Sequence, residues 1–345
     1  MYNNEIVKED LKLITSQKIE FEKLKNKTIL ITGANGLIAS YYTYTLMYLN
    51  DTKKLNIKIL LLVRNKEKTI NNIGNRNDVI ILEQDVCENI KYDGKVDYVI
   101  HMASSSNPKT IVEKPVEIIK ANVIGTFNVL DFAKKNNAEI LFTSTREIYG
   151  KMAETVEEIT EEDYGALKCN ELRACYPESK RLAESLIVSY SYQYGIKYKI
   201  TRIAHTYGPG MNINSDGRIM SDLIENVVKN NDIILKSDGT AVRAFCYIVD
   251  AITALFYITV DGKENQVYNI SNETEEITVK DLAYKIKEIS KNENIKVKFN
   301  IENDNRKYVS FKRVRLSTKK IEELGWKPVV TLEKGVEKTI KSFKM

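Results

Sequence analysis

Short apolar runs alternate along this chain with stretches of helical periodicity. The first run, at 28–32, passes through glycines into a helix expected from Leu37. Further apolar runs at 57–63, 79–82, 96–101, 138–145 and 197–202 read as strands. Between them, 115–135 and a segment starting near Pro177 carry the i, i+3, i+4 spacing of helices, and proline is well tolerated in a first turn. Strands alternating with helices imply right-handed crossovers and a doubly wound parallel sheet, an α/β Rossmann architecture. Residues 1–26 form an amphipathic helical extension (Ile6, Leu11, Leu13, Ile14, Phe21, Leu24) expected to pack on the main domain. Residues 27–205 are expected to be the nucleotide-binding domain. Shorter, mixed strands and helices over 206–345 suggest a smaller α/β lobe, with some elements returning to the main domain and a last helix opening after Trp326.

Composition narrows the classes without choosing among them. The 345 residues are 43% hydrophobic and 29% charged, as in soluble globular proteins. A net charge of +5, scattered along the chain, gives no reason to expect nucleic acid. Four cysteines without C-x-x-C spacing and two histidines argue against a metal site or a disulfide framework, and point to a reducing cytoplasm. Neither a signal peptide nor an apolar run of about 20 residues is recognisable, so no membrane association is expected.

Thr32-Gly33-Ala34-Asn35-Gly36-Leu37-Ile38-Ala39 sits where a dinucleotide fingerprint requires it, between a strand and a helix. Gly33 permits the turn, Gly36 admits backbone amides to a pyrophosphate, and Ala39 allows close helix–strand packing. Asn35, Leu37 and Ile38 belong to the same cradle. After the second strand, where an Asp or Glu usually holds the adenosine ribose, stands Arg64. It could receive a 2′-phosphate, stack on adenine or be solvated, so NAD is expected with NADP still open. Asp85 and Val86 follow the third strand near the expected adenine edge. Ala103 and Ser104 lie in the small-residue loop after the fourth, and His101 reads as a structural strand-end residue. Thr145 and Glu147 close the fifth strand.

Tyr176 and Lys180 stand at i, i+4, one turn apart on one helical face. A phenol is a poor base at neutral pH, and an adjacent ammonium together with a positive nicotinamide would lower its pKa. Such a pair can take a proton from an alcohol while hydride leaves carbon. Arg218, Arg243 and Arg313 lie in later loops, where guanidinium forks suit a diphosphate.

The joint occurrence of Thr-Gly-x-x-Gly-x-x-Ala, Ser144-Thr145-x-Glu147-x-Tyr-Gly150 and Tyr176-x-x-x-Lys180 resembles the extended short-chain dehydrogenase/reductases. Within them it is similar to the NAD-dependent epimerase/dehydratase family, which remodels nucleotide sugars. His101-Met-Ala-Ser, Arg173-Ala-Cys-Tyr176, Asp216-Gly-Arg218 and Arg243-Ala-Phe-Cys-Tyr247 resemble its UDP-glucuronate decarboxylases. The resemblance implies Tyr176 as base, Lys180 lowering its pKa and holding the nicotinamide ribose, Thr145 on the reacting hydroxyl, and Glu147 handling protons around C5. It also implies Arg218, Arg243 and Arg313 on the nucleotide diphosphate and Asn122 as a structural or relay residue.

Arg146 and His205 replace a small hydroxyl residue and an Asn usual in the decarboxylases. Both are kept as substrate-binding candidates with Ser104. Arg146 could meet a substrate carboxylate, pair with a carboxylate of the protein, or point to solvent. The activity implied is oxidation of C4 of a nucleoside-diphosphate sugar, with a decarboxylase- or epimerase-like outcome. The alternatives are a 4-dehydrogenase or 4,6-dehydratase that releases a keto-sugar, or a catalytically idle nucleotide-binding member. Helices at 116–134 and 177–194, apolar on more than one face, are expected to form a four-helix homodimer contact, with Tyr190 and Tyr194 near it.

Overall fold

The apolar runs become strands buried on both faces, except the half-buried run at 79–83. The computed structural model describes residues 1–214, 216–301 and 314–344. Helix α1 (Glu5–Thr15) precedes β1 (Thr28–Thr32), α2 (Leu37–Lys53), β2 (Lys58–Val63), α3 (Lys66–Ile73), β3 (Val79–Glu83) and β4 (Tyr98–His101). Then come α4 (Pro108–Glu113), α5 (Pro115–Asn136), β5 (Glu139–Thr145), β6 (Glu158–Ile159), α6 (Cys175–Tyr194) and β7 (Tyr198–Ile203). Further on lie β8 (Thr206–Tyr207), α7 (Ile219–Val228), β9 (Ile233–Leu235), β10 (Val242–Ala244), β11 (Cys246–Tyr247), α8 (Ile248–Asp261) and β12 (Gln266–Ile270).

Among the described residues, seven strands form one sheet in the order β12-β7-β5-β4-β1-β2-β3, every neighbouring pair parallel. Side chains alternate across it. Ile29, Ile31, Ile59 and Leu61 join one core, and Leu30, Leu60, Val99 and Ile140 the other. Helix α2 packs on the first side, and α5 and α6 on the second. Strand order reverses between β1 and β4, which opens a crevice at their carboxyl ends, the usual ligand position in such sheets.

Two features depart from the sequence pattern, and a third is one of the expected returning elements. Helix α6 begins at Cys175, earlier than expected from Pro177, because a 3-10 turn (Leu172–Ala174) runs straight into it with Ala174 in the right-handed helical region. Pro177 still lies in the first turn, where a missing N–H costs nothing. Helix α4 fills what reads as loop, capped by Asn107, whose Oδ1 accepts from the Thr110 amide at 2.9 Å. Beyond residue 205, β12 forms the sheet edge beside β7 with Gln266 opposite Lys199. The chain therefore leaves the sheet after β7 and rejoins it, with the smaller lobe interposed.

That lobe holds short two-stranded pieces: β9 with Val297–Phe299, and β10 with Glu276–Thr278. Helix α1 does pack on the main body, burying Val7, Leu11 and Ile14. Its fully buried Asp10 accepts from Tyr41 at 3.1 Å, Tyr247 at 2.7 Å and Lys338 at 2.6 Å. A buried carboxylate needs such partners. Among the described residues, no helix is long and apolar enough to cross a membrane, and no cluster of side chains could hold a metal ion.

Candidate active site

At the end of β1 the chain turns sharply through Gly33, whose φ is +70°. A Cβ there would lie 2.7 Å from the Ala103 Cα and 2.9 Å from its nitrogen, so the β4 loop passes directly over the turn. Gly36 caps α2 without a side-chain hydrogen bond, and the first turn carries no acidic residue. Its amide ends are open to an anion. Leu37 and Ile38 lie half-buried in that turn. Asn35 ties the turn to the β2–α3 loop: its amide donates to the Asn65 carbonyl at 3.0 Å, and its Oδ1 accepts from Thr69 at 3.0 Å. Arg64 is exposed beside that loop. The Asp85 carboxylate accepts from the Cys87 amide at 2.8 Å, and Val86 packs against Gly125 of α5.

A buried polar chain joins this turn to α6. The Thr32 hydroxyl accepts from the amides of Met102 and Ala103, each at 3.1 Å, and lies 2.8 Å from His101 Nδ1. His101 Nε2 lies 3.1 Å from the Thr126 hydroxyl, which itself donates to the Asn122 carbonyl. Consistent donors and acceptors put the ring proton on Nε2. Asn122 then donates to Ser179 at 2.8 Å. Burial, with the charge of Lys180 nearby, depresses the His101 pKa to about 3, so the ring is neutral and structural.

Burial fills the space around Tyr176 and Lys180, both almost inaccessible. The Lys180 ammonium donates to the Thr143 carbonyl at 2.8 Å and lies 4.5 Å from the centre of the Phe142 ring. Burial lowers its pKa to about 7, opposed by Glu184. The phenol of Tyr176 moves opposite to the sequence expectation. Burial pushes its pKa up and the Glu147 charge adds to that, while a hydrogen bond from Thr145 and the charges of Arg173 and Arg218 pull it down. Lys180 points to a main-chain carbonyl, and loss of hydration is the largest influence on the phenol. Thr145 also caps the 3-10 turn Arg146–Tyr149, its hydroxyl accepting from the Glu147 amide at 3.2 Å.

Glu147, Arg173 and Arg218 thus lie close enough to act on the buried Tyr176 phenol by charge, and Thr145 ends the strand beside it. Arg218 is braced by Asp216, a fully buried residue that also accepts from Asn107 at 2.6 Å and Ser221 at 3.1 Å. Arg243 lies on β10 and donates to the Val242 carbonyl at 2.8 Å. His205 is exposed, its ring 5.9 Å from Phe245. Arg146 donates to the Val314 carbonyl at 3.3 Å, so its side chain reaches toward the C-terminal segment. Arg313 lies outside the described residues.

Sequence reasoning missed Arg173 as a participant. Its Nη2 donates to both carboxylate oxygens of Glu147, at 3.0 and 3.1 Å. Its place three residues before Tyr176 was the available signal. Asp216 and Asn107 were missed as well, because their pairing spans distant parts of the chain.

A dinucleotide fits these residues. The buried oxygens of Ser104 and Ser144 and the Oδ1 of Asn122 have no partner in the described structure. The two serines follow β4 and end β5, at the crevice the glycine turn opens onto. Buried polar atoms left unpaired are costly unless a ligand or water completes them.

Comparison with known proteins bears on family and fold. Residues 29–271 match the profile of the NAD dependent epimerase/dehydratase family. UDP-glucuronic acid decarboxylase 6 of Arabidopsis thaliana is 35% identical over 93% of this chain and 90% of its own length. Among solved structures, the UDP-glucose 4-epimerase of Thermotoga maritima superposes with a TM-score of 0.75 at 23% identity, covering 92% of this chain and 98% of that one. The dTDP-glucose 4,6-dehydratase of Bacillus anthracis, solved with NAD, gives 0.73 at 21% identity over 92% and 96%. At those identities the structural likeness speaks for the fold.

Proposed function

The chain belongs to the NAD dependent epimerase/dehydratase family, and from that premise we propose that it is a nucleotide-sugar enzyme acting on UDP-glucuronate. On this reading it oxidises C4 and releases the C5 carboxyl group as carbon dioxide. The observation that carries it is the buried Tyr176 and Lys180 on one face of a helix tied to the glycine turn through His101, Thr126 and Asn122, with the charges of Glu147 and Arg218 acting on the phenol.

A nicotinamide cofactor held at the Gly33–Gly36 turn would supply the hydride acceptor for C4. Thr145 holds the C4 hydroxyl and Tyr176 takes its proton. The positive ring, when present, favours the phenolate that burial alone opposes. Lys180, fixed by the Thr143 carbonyl, is set to hold the cofactor's ribose. Arg218 and Arg243 lie on the lobe that would receive the diphosphate. With C4 a ketone, the C5 carboxylate is that of a β-keto acid. Its carbon–carbon bond breaks, the electron pair passes into the ketone as an enolate, and Glu147 or water returns a proton to C5. Tyr176 would return its proton to the C4 oxygen when the reduced cofactor gives hydride back. Half-buried Ser104 fits the substrate side, as does His205 at the lobe's edge. Gly33, Asn35, Gly36, Leu37, Ile38, Arg64, Asp85, Val86 and Ala103 line the cofactor's path.

We further propose a homodimer through α5 and α6. Val116, Ile119, Ile124 and Phe127 lie exposed along one stripe of α5, and Leu182, Val188 and Tyr192 along α6. Four free cysteines fit a reducing compartment, the cytoplasm.

The test is incubation with UDP-glucuronate and NAD, or NADP, followed by mass analysis. A UDP-pentose lighter by one carbon dioxide is expected, and Tyr176→Phe should form none while still binding cofactor. Recovery of a UDP-keto-sugar or a UDP-hexuronate epimer would overturn the decarboxylase outcome. Ordinary turnover by Tyr176→Phe would overturn the assignment of the base.

A further inference from the structure

The Arg173–Glu147 pair joins two segments that flank the reacting phenol. Glu147 lies in the 3-10 turn that ends β5, and Arg173 in the one that opens α6. One guanidinium nitrogen bridges both carboxylate oxygens, at 3.0 and 3.1 Å, with the side chains 49% and 38% exposed. A pair this exposed contributes little to folding, typically about 0–1 kcal/mol. Its position makes it consequential instead. Glu147 and Arg173 act on the Tyr176 phenol in opposite senses, the carboxylate opposing ionisation and the guanidinium favouring it.

The other groups around the phenol have their own partners. Arg218, from the start of α7, is paired with Asp216. Lys180, one turn along α6, is turned to the Thr143 carbonyl. The Cys175 thiol contacts the Ile111 carbonyl at 3.8 Å. The Thr145 hydroxyl accepts from the Glu147 amide at 3.2 Å. Glu147 is thus the carboxylate beside Tyr176 that needs a counter-charge, and Arg173 is within hydrogen-bond reach to supply it.

We propose that Arg173 is a positioning residue that fixes the Glu147 carboxylate at the mouth of the site and offsets its charge, so that an acid for the sugar can stand beside a phenol that must ionise. This rests on Tyr176 being the base and Glu147 the nearby proton carrier. It follows that a half-exposed ion pair controls the proton on a buried group. Substrate can compete for either partner without unfolding anything.

The experiment compares wild type with Arg173→Ala, Arg173→Lys and the double variant Arg173→Ala/Glu147→Gln. The first readout is the pH profile of kcat/KM with UDP-glucuronate. Tyr176 works as the phenolate, so removing Arg173 should move the acidic limb to higher pH. A several-fold loss near neutrality should shrink as pH rises. Lysine should restore much of the original profile, and removing the Glu147 charge should return the limb toward its starting position. The second readout needs no turnover. The ultraviolet phenolate absorbance of the NAD-bound protein is titrated for each variant, with the matching Tyr176→Phe variant subtracted. The Tyr176 signal should emerge at higher pH in Arg173→Ala than in wild type, and return in the double variant. An unchanged phenolate titration in folded Arg173→Ala would refute the proposal, and so would a uniform loss of activity at every pH. If UDP-glucuronate is not turned over, the functional reading fails and the titration still decides the role of Arg173.

Discussion

Replacing Gly33 by alanine tests whether the glycine turn is held as tightly as the structure indicates. Alanine at a φ of +70° loses about 1–2 kcal/mol relative to an ordinary conformation. The new methyl would also sit 2.7 Å from the Ala103 Cα, a main-chain atom in a loop pinned by two hydrogen bonds to Thr32. Forcing that loop away resembles overpacking, roughly 1–3 kcal/mol. The combined loss is about 2–5 kcal/mol. At roughly 2.1 cal/mol/K of unfolding entropy per residue, a chain of 345 residues would lose roughly 3–7 °C in melting temperature. Gly195→Ala is the control. Its φ is +72° with nothing within 4 Å of an added Cβ, so it meets the backbone cost alone. Thermal unfolding is then repeated with NAD at about 100 times its dissociation constant, which stabilises a competent protein by about 2.7 kcal/mol. Gly195→Ala should keep that increment and Gly33→Ala should lose most of it. If both variants melted together and kept the full NAD shift, the close approach of Ala103 to the turn would not be rigid, and the site would be built otherwise.

Lys180 makes the stability of the cofactor-free protein depend on pH. Its pKa is depressed from 10.5 to about 7 by burial, so the unfolded chain binds the extra proton between those values. Stability should therefore rise with pH across that window, with the burial penalty fully present below it, and urea titrations of Lys180→Met should lack that component. Charging the exposed stripes with Phe127→Glu and Val188→Glu should turn a dimer into a monomer in sedimentation, since each apolar side chain withdrawn from an interface forfeits about 1.5–3 kcal/mol; a wild-type monomer at micromolar concentration would defeat the dimer. Arg146→Ser should raise KM or alter the product while single-turnover nicotinamide absorbance still reports oxidation at C4. A guanidinium cannot exchange a proton near neutral pH, so loss of hydride transfer in a folded variant would place Arg146 in the oxidation machinery.

Local patterns carried most of the fold. The apolar runs, the glycine turn and the Tyr176/Lys180 spacing are each contained within about one turn or one strand, where periodicity and steric freedom alone decide the conformation. They were enough to indicate the parallel sheet, the cofactor crevice and the helical face that Tyr176 and Lys180 share. What they could not indicate depends on which distant segments meet. That some later element returns to the main domain was legible, but not that β12 is the strand that takes the sheet edge beside β7. Asp216 meets Asn107 across 109 residues, and Asp10 meets Lys338 across 328. The direction of the Tyr176 shift belongs to the same class. Spacing places Lys180 one turn away, but only the folded chain turns its ammonium to the Thr143 carbonyl and removes water from the phenol. Arg173 and Glu147 are 26 residues apart and individually ordinary surface charges. Their partnership exists because the end of β5 and the start of α6 arrive together above the sheet. Chain topology decides that meeting, and neither local segment encodes it.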